Sequence, residues 1–473
     1  MKKQKISETY TITYGYESDG ETKHTSLKKP IIFIHGLDPG YMNYKTTFDD
    51  CKYGIMGWID IVSEQQYNSR KEEINDWTPE FDYSLDFFES LWNEGYDVIY
   101  FDYKYGDDYM QRNAFTLVHM LEWINEHKSE DSEETVIIGA SMGGQITRYA
   151  LAYMEKNNIP HCVRLTVNLD SGAKGSNLPL GLQLFGVFSY ALTSDDSPDY
   201  AALEFQYNSL IRPASMQLLV PHVFGTEDDK STSYRTDFLD ELFSNDADGY
   251  SGKIRKVAVA CGNKTATGQE GILPGDVLLD YEIHKGIEID LGFGIVYPIH
   301  VTQTAWYIPG DDYKIYELEA TLFGVEIIGT SIYVAEDFPA RDAAPGSKVT
   351  RLNDQLTASF EPVFGTSDHF YVVDYFSFVN SISSLDVNTD DLYFDIKDEI
   401  FADFPNDNYP FAAYYSPESN NENHVQFSGP ADGDEGNIIW MLDQMLKNEN
   451  DIQNLPATID GTIETTYNYG NFY

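Results

Sequence analysis

Apolar residues fall into short β-rich runs bounded by turn residues, and longer stretches with a helical repeat lie between them. The runs cover 31–34, 98–101, 136–138, 165–169 and 257–260. Each is followed within two residues by a glycine or a polar residue, the pattern of strands buried on both faces of a parallel sheet. Between them, Phe81, Leu85, Phe88 and Trp92 recur at helical spacing. So do Leu117, Val118, Leu121 and Ile124, and residues 145–154 read the same way. Strands alternating with helices predict βαβ units and a doubly wound sheet. Two stretches break the alternation. Residues 183–250 read as mostly helical, and residues 281–335 alternate apolar with polar positions, as in Glu282-Ile283-His284 and Val325-Glu326-Ile327. The expected organisation is a peripheral strand in 1–27, a core in 28–182, a helical lid or cap in 183–250, and a core strand with its loop in 251–280. A β-rich insertion in 281–335 and the second half of the core in 336–473 follow. That second half should hold a strand over 411–415 and a closing helix over 437–446.

The length of 473 residues fits one large decorated domain or two. There are 77 acidic and 31 basic residues, giving a net charge of −46. Such a surface offers no cationic face for nucleic acid and disfavours anionic membranes. No run reaches the 18 apolar residues of a membrane span. The N-terminus has a basic start but no apolar stretch, so it is not an intact signal peptide. A secreted chain whose leader lies outside this numbering and a cytoplasmic chain both fit. Cys51, Cys162 and Cys261 are too few and too scattered for a disulfide framework or a zinc site. The acidic clusters at 245–249 and 432–436 lack the full spacing of a calcium loop and read as solvated turns, with structural calcium the minor alternative. No metal is expected in the site.

The sharpest motif is Gly139-Ala140-Ser141-Met142-Gly143-Gly144, which directly follows a β-rich run and directly precedes a helical one. A serine nucleophile needs such a setting. It protrudes from a tight strand-to-helix turn, glycines two residues to either side let backbone pass closely, and the helix N-terminus favours developing negative charge. The N–H of Met142 supplies one oxyanion donor. The second comes from the loop after the first core strand, where Leu37 follows Gly36. In the chain order serine, acid, histidine, the base falls after the last strand and before the last helix, which favours His424 over its competitor His369, a residue less well bracketed by strand and helix. Three carboxylates compete for the acid. Asp276 lies in the loop after the fifth run, Asp386 later in the chain, and Asp170 at the end of the fourth run.

With these pieces the chain resembles the α/β-hydrolase superfamily, in its lipase and esterase branch, and within it a group of large bacterial hydrolases that are often secreted. The resemblance covers roughly residues 28–180 and the region of His424. It rests on Phe33-Ile34-His35-Gly36-Leu37-Asp38-Pro39, on residues 106–114 and on residues 139–151. Asp170-Ser171-Gly172-Ala173 is similar to a family segment that often reads Pro-His before glycine. The segment ending Ser383-Ser384-Leu385-Asp386 resembles a family segment ending Ser-Ala-Leu-Asp, and this likeness alone ranks Asp386 ahead of Asp276, then Asp170. The resemblance implies an α/β fold, a mostly parallel sheet with helices on both faces, a helical lid and a β-rich insertion. It implies a Ser141–His424–acid triad that cleaves small-molecule or lipid-like carboxylic esters without a cofactor. A peptidase, amidase or thioesterase on the same fold is the alternative, and a catalytically decayed binding module the second. The oligomeric state is left open.

Overall fold

The computed structural model describes residues 8–37, 87, 90–103, 105–193, 200–226, 231–289, 295–308, 313–350, 369–373, 375–396, 409–428 and 436–446. Asp38 and Pro39, most of the helix expected over 81–92, Cys51 and the acidic residues of 432–435 lie outside these.

The core is a seven-stranded sheet. Its strands are β1 (Glu8–Thr13), β2 (Pro30–Ile34), β3 (Asp97–Tyr103), β4 (Thr135–Ala140), β5 (Val163–Leu169), β6 (Arg255–Val259) and, far along the chain, β14 (Ala413–Tyr415). Their spatial order is β1-β3-β2-β4-β5-β6-β14. All pairings from β3 to β14 are parallel, and β1 runs antiparallel along one edge. The five apolar runs of the sequence are therefore the inner strands, whose two faces are both buried. Ile31, Phe33, Val136 and Ile138 point to a layer completed by Ile438, Met441 and Met445 of α8 (Gly436–Leu446). Ile32, Ile34 and Ile137 point the other way, against α1 (Met110–His127) and α2 (Met142–Lys156). Both helices extend a few residues beyond their periodic stretches in each direction. This is the α/β fold with helices on both faces that the periodicity predicts.

After β5 come α3 (Leu180–Leu192), α4 (Tyr200–Ile211), α5 (Pro213–Leu218) and α6 (Ser233–Asn245). Ala214, Leu218, Phe238 and Leu242 of α5 and α6 join the core layer of α1 and α2. The apolar side chains of α3 serve another layer. They pack on a second, fully antiparallel sheet of β7 (Val277–Ile289), β8 (Ile295–Trp306), β9 (Lys314–Leu322), β10 (Val325–Tyr333) and β12 (His369–Val372), ordered β10-β9-β8-β7-β12. Phe185 meets Tyr281 edge-on at 5.4 Å, and Phe188 stacks on Tyr316 at 5.3 Å. A two-stranded ribbon of β11 (Gly346–Thr350) and β13 (Tyr375–Asn380), followed by the single turn α7 (Ser381–Ser384), links this sheet back to the core. Among the described residues no helix is long and apolar enough to cross a membrane.

The junction between the two sheets contains a fully buried carboxyl, Asp342. One of its oxygens accepts from Asn177 Nδ2 at 2.9 Å and the other from the Ile308 N–H at 3.0 Å, while its main-chain carbonyl accepts from Ser377. Burial raises its pKa to about 6, against the pull of those donors. The native state therefore holds a proton over a window, between the ordinary carboxylate value and about 6, in which the unfolded chain has released it. Stability from this group is full below that window and falls as pH rises through it. Relative to Asp342→Asn, the wild type should lose about 2–3 kcal/mol between pH 4 and pH 7. Denaturant unfolding of both proteins at the two pH values measures this, and parallel curves would refute it.

Candidate active site

Ser141 occupies the turn between β4 and α2 with φ 53° and ψ −123°, a backbone that a residue bearing a β-carbon keeps only when its surroundings hold it. They do. Its N–H donates to the Leu169 carbonyl at 2.9 Å, and its own carbonyl accepts from Gly144 at 3.1 Å. Gly143 has to be glycine because a β-carbon there would collide with the Ile34 carbonyl, so β2 and the start of α2 are in direct contact.

Strand register brings the other groups to the serine. Ala140 lies opposite Leu169, Leu169 opposite Val259, and Val259 opposite Tyr415. Four parallel strands thus end at one level, and the residues just beyond them gather at the carboxyl edge, where open α/β sheets place their sites. Asp170 is the residue after β5. Its φ is 47°, its N–H donates to the Val259 carbonyl at 2.7 Å, and it is fully buried. Its Oδ1 accepts from the Cys261 N–H at 3.2 Å, and its Oδ2 lies 2.6 Å from His424 Nδ1. His424 Nε2 is in turn 2.8 Å from Ser141 Oγ. A carboxylate only accepts, so Nδ1 carries the proton and Nε2 presents a lone pair to the serine hydroxyl.

His424 sits in the loop between β14 and α8, and β11 fixes that loop. The His424 N–H donates to Lys348 at 2.8 Å, and the Lys348 N–H donates to Glu422 at 2.9 Å. The Phe378 ring stands edge-on to the imidazole at 4.7 Å, and Ser347 Oγ lies 3.4 Å from Nδ1. Burial, reinforced by the Asp170 carboxylate, pushes the Cys261 thiol well above its usual range. Cys261 and Cys162 are both free.

The segment expected to supply oxyanion donors passes beside Ser141. A β-carbon on Gly36 would stand 2.9 Å from Ser141 Cβ and 3.2 Å from its Oγ. Leu37 follows directly, and Met142 opens α2 on the other side. His35 steadies this segment, with Nδ1 2.9 Å from the Gly36 carbonyl and its ring stacked on Tyr100.

The carboxylate that reaches His424 is not the first choice made on the sequence. Asp386 follows α7 and turns its carboxylate to Tyr250, whose hydroxyl donates at 2.7 Å, and to Arg148 at 3.5 Å. Arg148 also lies over the Tyr250 ring at 3.8 Å and donates to the Gly249 carbonyl at 2.7 Å. Asp386 therefore ties α2 to the loop after α6. Asp276 is exposed and accepts from the Leu273 N–H at 2.8 Å within a tight turn. Asp170, ranked third, is the carboxylate bonded to His424. Its signal was available, since an aspartate directly after the strand next in sequence to the elbow's own must emerge beside the nucleophile if those strands pair in parallel. Sequence reasoning did not find the support from β11 and Phe378, because no local pattern links residues 347 and 378 to residue 424. In the acidic cluster at 245–249, Asp246 accepts from the Asp248 N–H at 3.0 Å and the Asp248 carbonyl accepts from Arg148, so the segment is a bonded turn.

No family model matches this chain, and neither does any curated protein sequence. Among solved structures it is similar to Est1E from Butyrivibrio proteoclasticus, at 12% identity and a TM-score of 0.26, over 54% of this chain and 73% of that one. A lipase-esterase related protein from Clostridium acetobutylicum matches at 13% identity and a TM-score of 0.24, over 53% and 78%. The haloalkane dehalogenase DpaA from Paraglaciecola agarilytica matches at 11% and 0.25, over 55% and 73%. Likeness at this level says nothing about chemistry or substrate. The α/β-hydrolase fold is read from the strand order and the elbow themselves.

A fluorophosphonate probe reports how readily Ser141 Oγ gives up its proton, whatever the natural substrate. Asp170→Asn should slow labelling by about 10⁴-fold, the scale on which loss of the imidazole's orienting carboxylate acts. Asp386→Asn and Asp276→Asn should stay near the wild-type rate. The reverse ranking would remove Asp170 from the site.

Proposed function

We propose that this chain is a serine hydrolase that cleaves carboxylic esters through an acyl-enzyme on Ser141. The reading is carried by one observation, the continuous hydrogen-bonded line from Asp170 through His424 to the Ser141 hydroxyl. In the proposed cycle, Ser141 Oγ attacks the acyl carbonyl as His424 Nε2 takes its proton. Asp170 keeps Nδ1 protonated and stabilises the imidazolium that forms. The N–H groups of Met142 and Leu37 receive the oxyanion, and each such donor lowers the barrier by about 3 kcal/mol. His424 then returns the proton to the leaving alcohol. A water molecule, activated by the same imidazole, releases the acid.

Burial supports the assignment of roles. Asp170 and His424 are closed off from solvent while Ser141 is half-buried, so the exposed end of the line is the nucleophile.

Ser141→Ala should lower kcat for short p-nitrophenyl esters by about 10⁴-fold or more while leaving the far-UV circular dichroism unchanged. Retained turnover would overturn the mechanism. In the same assay, faster cleavage of a peptide anilide than of the matched ester would move the reading from esterase to peptidase.

A further inference from the structure

The second sheet has one face on the core and one in solvent, and the outer face carries a cluster that the hydrolytic site does not use. Strand alternation puts Leu279, Tyr281 and Ile283 of β7 inward and Asp280, Glu282 and His284 outward. On β8, His300 is the direct cross-strand partner of His284. The two imidazoles stack at 4.4 Å between centroids, tilted by 11°. Glu282, two residues from His284 on the same face, places Oε1 2.8 Å from His300 Nε2 and 3.8 Å from His284 Nε2. One ligand atom from each residue lies within 4.8 Å of the other two. Their side chains are 44%, 40% and 36% exposed for His284, Glu282 and His300, so they can turn toward a common centre.

From this geometry we propose a divalent transition-metal site of the zinc class, ligated by His284, His300 and Glu282 and independent of the hydrolase reading. Register supplies the preorganisation. Cross-strand partners on an antiparallel pair keep their β-carbons roughly 5 Å apart. A tetrahedral zinc with bonds of about 2.0–2.2 Å needs its ligand atoms roughly 3.4 Å apart, within reach of small side-chain rotations. Two imidazole nitrogens and one carboxylate oxygen suit zinc or its neighbours and not the all-oxygen shells of calcium and magnesium. Two facing imidazoles repel when both are protonated, whereas a shared cation uses the lone pair of each. Asp280, Glu317 and Glu319 share or border this face, and the chain's net charge of −46 favours cations near it.

Isothermal titration of the whole chain with zinc chloride, with calcium chloride in parallel, tests the site. The wild type and Ser141→Ala should bind one zinc per chain with equal affinity. His284→Ala and His300→Ala should weaken that binding by about tenfold or more, since even the loss of outer-shell partners costs that much. Both histidines are on the surface, so both variants should keep the wild-type circular dichroism and the wild-type rate of ester cleavage. Three results would each overturn the proposal: no zinc binding by the wild type, unchanged zinc binding by both histidine variants, or calcium displacing zinc at equal concentration.

Discussion

A fully buried carboxylate, Asp170, sets the constraint that the rest of the molecule satisfies. An unpaired charge at such depth costs several kcal/mol. Its compensation comes from two distant parts of the chain, the Cys261 N–H and the His424 imidazole. The first requires β5 and β6 to pair in register, so that the residue beyond Leu169 faces the turn beyond Val259. The second requires a loop 254 positions away in sequence to return to the same strand ends. Once both hold, the imidazole is fixed by its Nδ1 bond, and its other nitrogen can point only where the elbow presents Ser141.

The return of that late loop is enforced from several sides. β14 adds to the sheet edge beside β6. The Glu422 N–H donates to the Cys261 carbonyl at 2.7 Å, and Asn437 Nδ2 donates to the Gln426 carbonyl at 2.7 Å. Phe427 packs into the core, with its ring 5.3 Å from Phe87 and 6.4 Å from Phe33. β11 bonds the loop at Lys348, and β11 belongs to the ribbon that ties the second sheet to the core. The second sheet thus contributes indirectly to the position of His424, through a short path of main-chain bonds.

Local patterns determined what could be read in advance. The inner strands announce themselves because a sheet buried on both faces leaves no polar alternation, as Ile31 to Ile34 illustrate. The elbow is legible because sterics at Gly143 and the conformation at Ser141 restrict the residue types there. His424 is legible from chain order together with the strand and helix that flank it. The carboxylate partner of His424 is not local in this sense. Asp170, Asp276 and Asp386 all follow plausible elements among 77 acidic residues, and only the sheet register decides which carboxylate reaches the imidazole. Similarity in Ser-Leu-Asp at 384–386 carried no information about register, and Asp386 serves the Arg148–Tyr250 cluster instead. The paired histidines of the outer sheet face were hidden for the same reason. His284 and His300 are 16 residues apart, and only hairpin register makes them neighbours.

Backbone strain marks the same centre. Ser141 has φ 53°, Asp170 47°, and Val425, next to His424, 57°. Positive φ is tolerable for aspartate but costly for a β-branched residue, of order 1–3 kcal/mol. Among the described non-glycine residues with positive φ, Val425 alone is β-branched. Its side chain is buried with Phe427, Phe33 and Phe87 in the layer beneath the sheet edge. That burial offsets the strain, and it couples the two. A side chain held in the core and a main chain held by β11 leave His424 between fixed points, so the orientation of the imidazole is set by packing as well as by Asp170. Relaxing Val425 to an ordinary backbone would swing the histidine away from both of its partners, and the core packing opposes that motion.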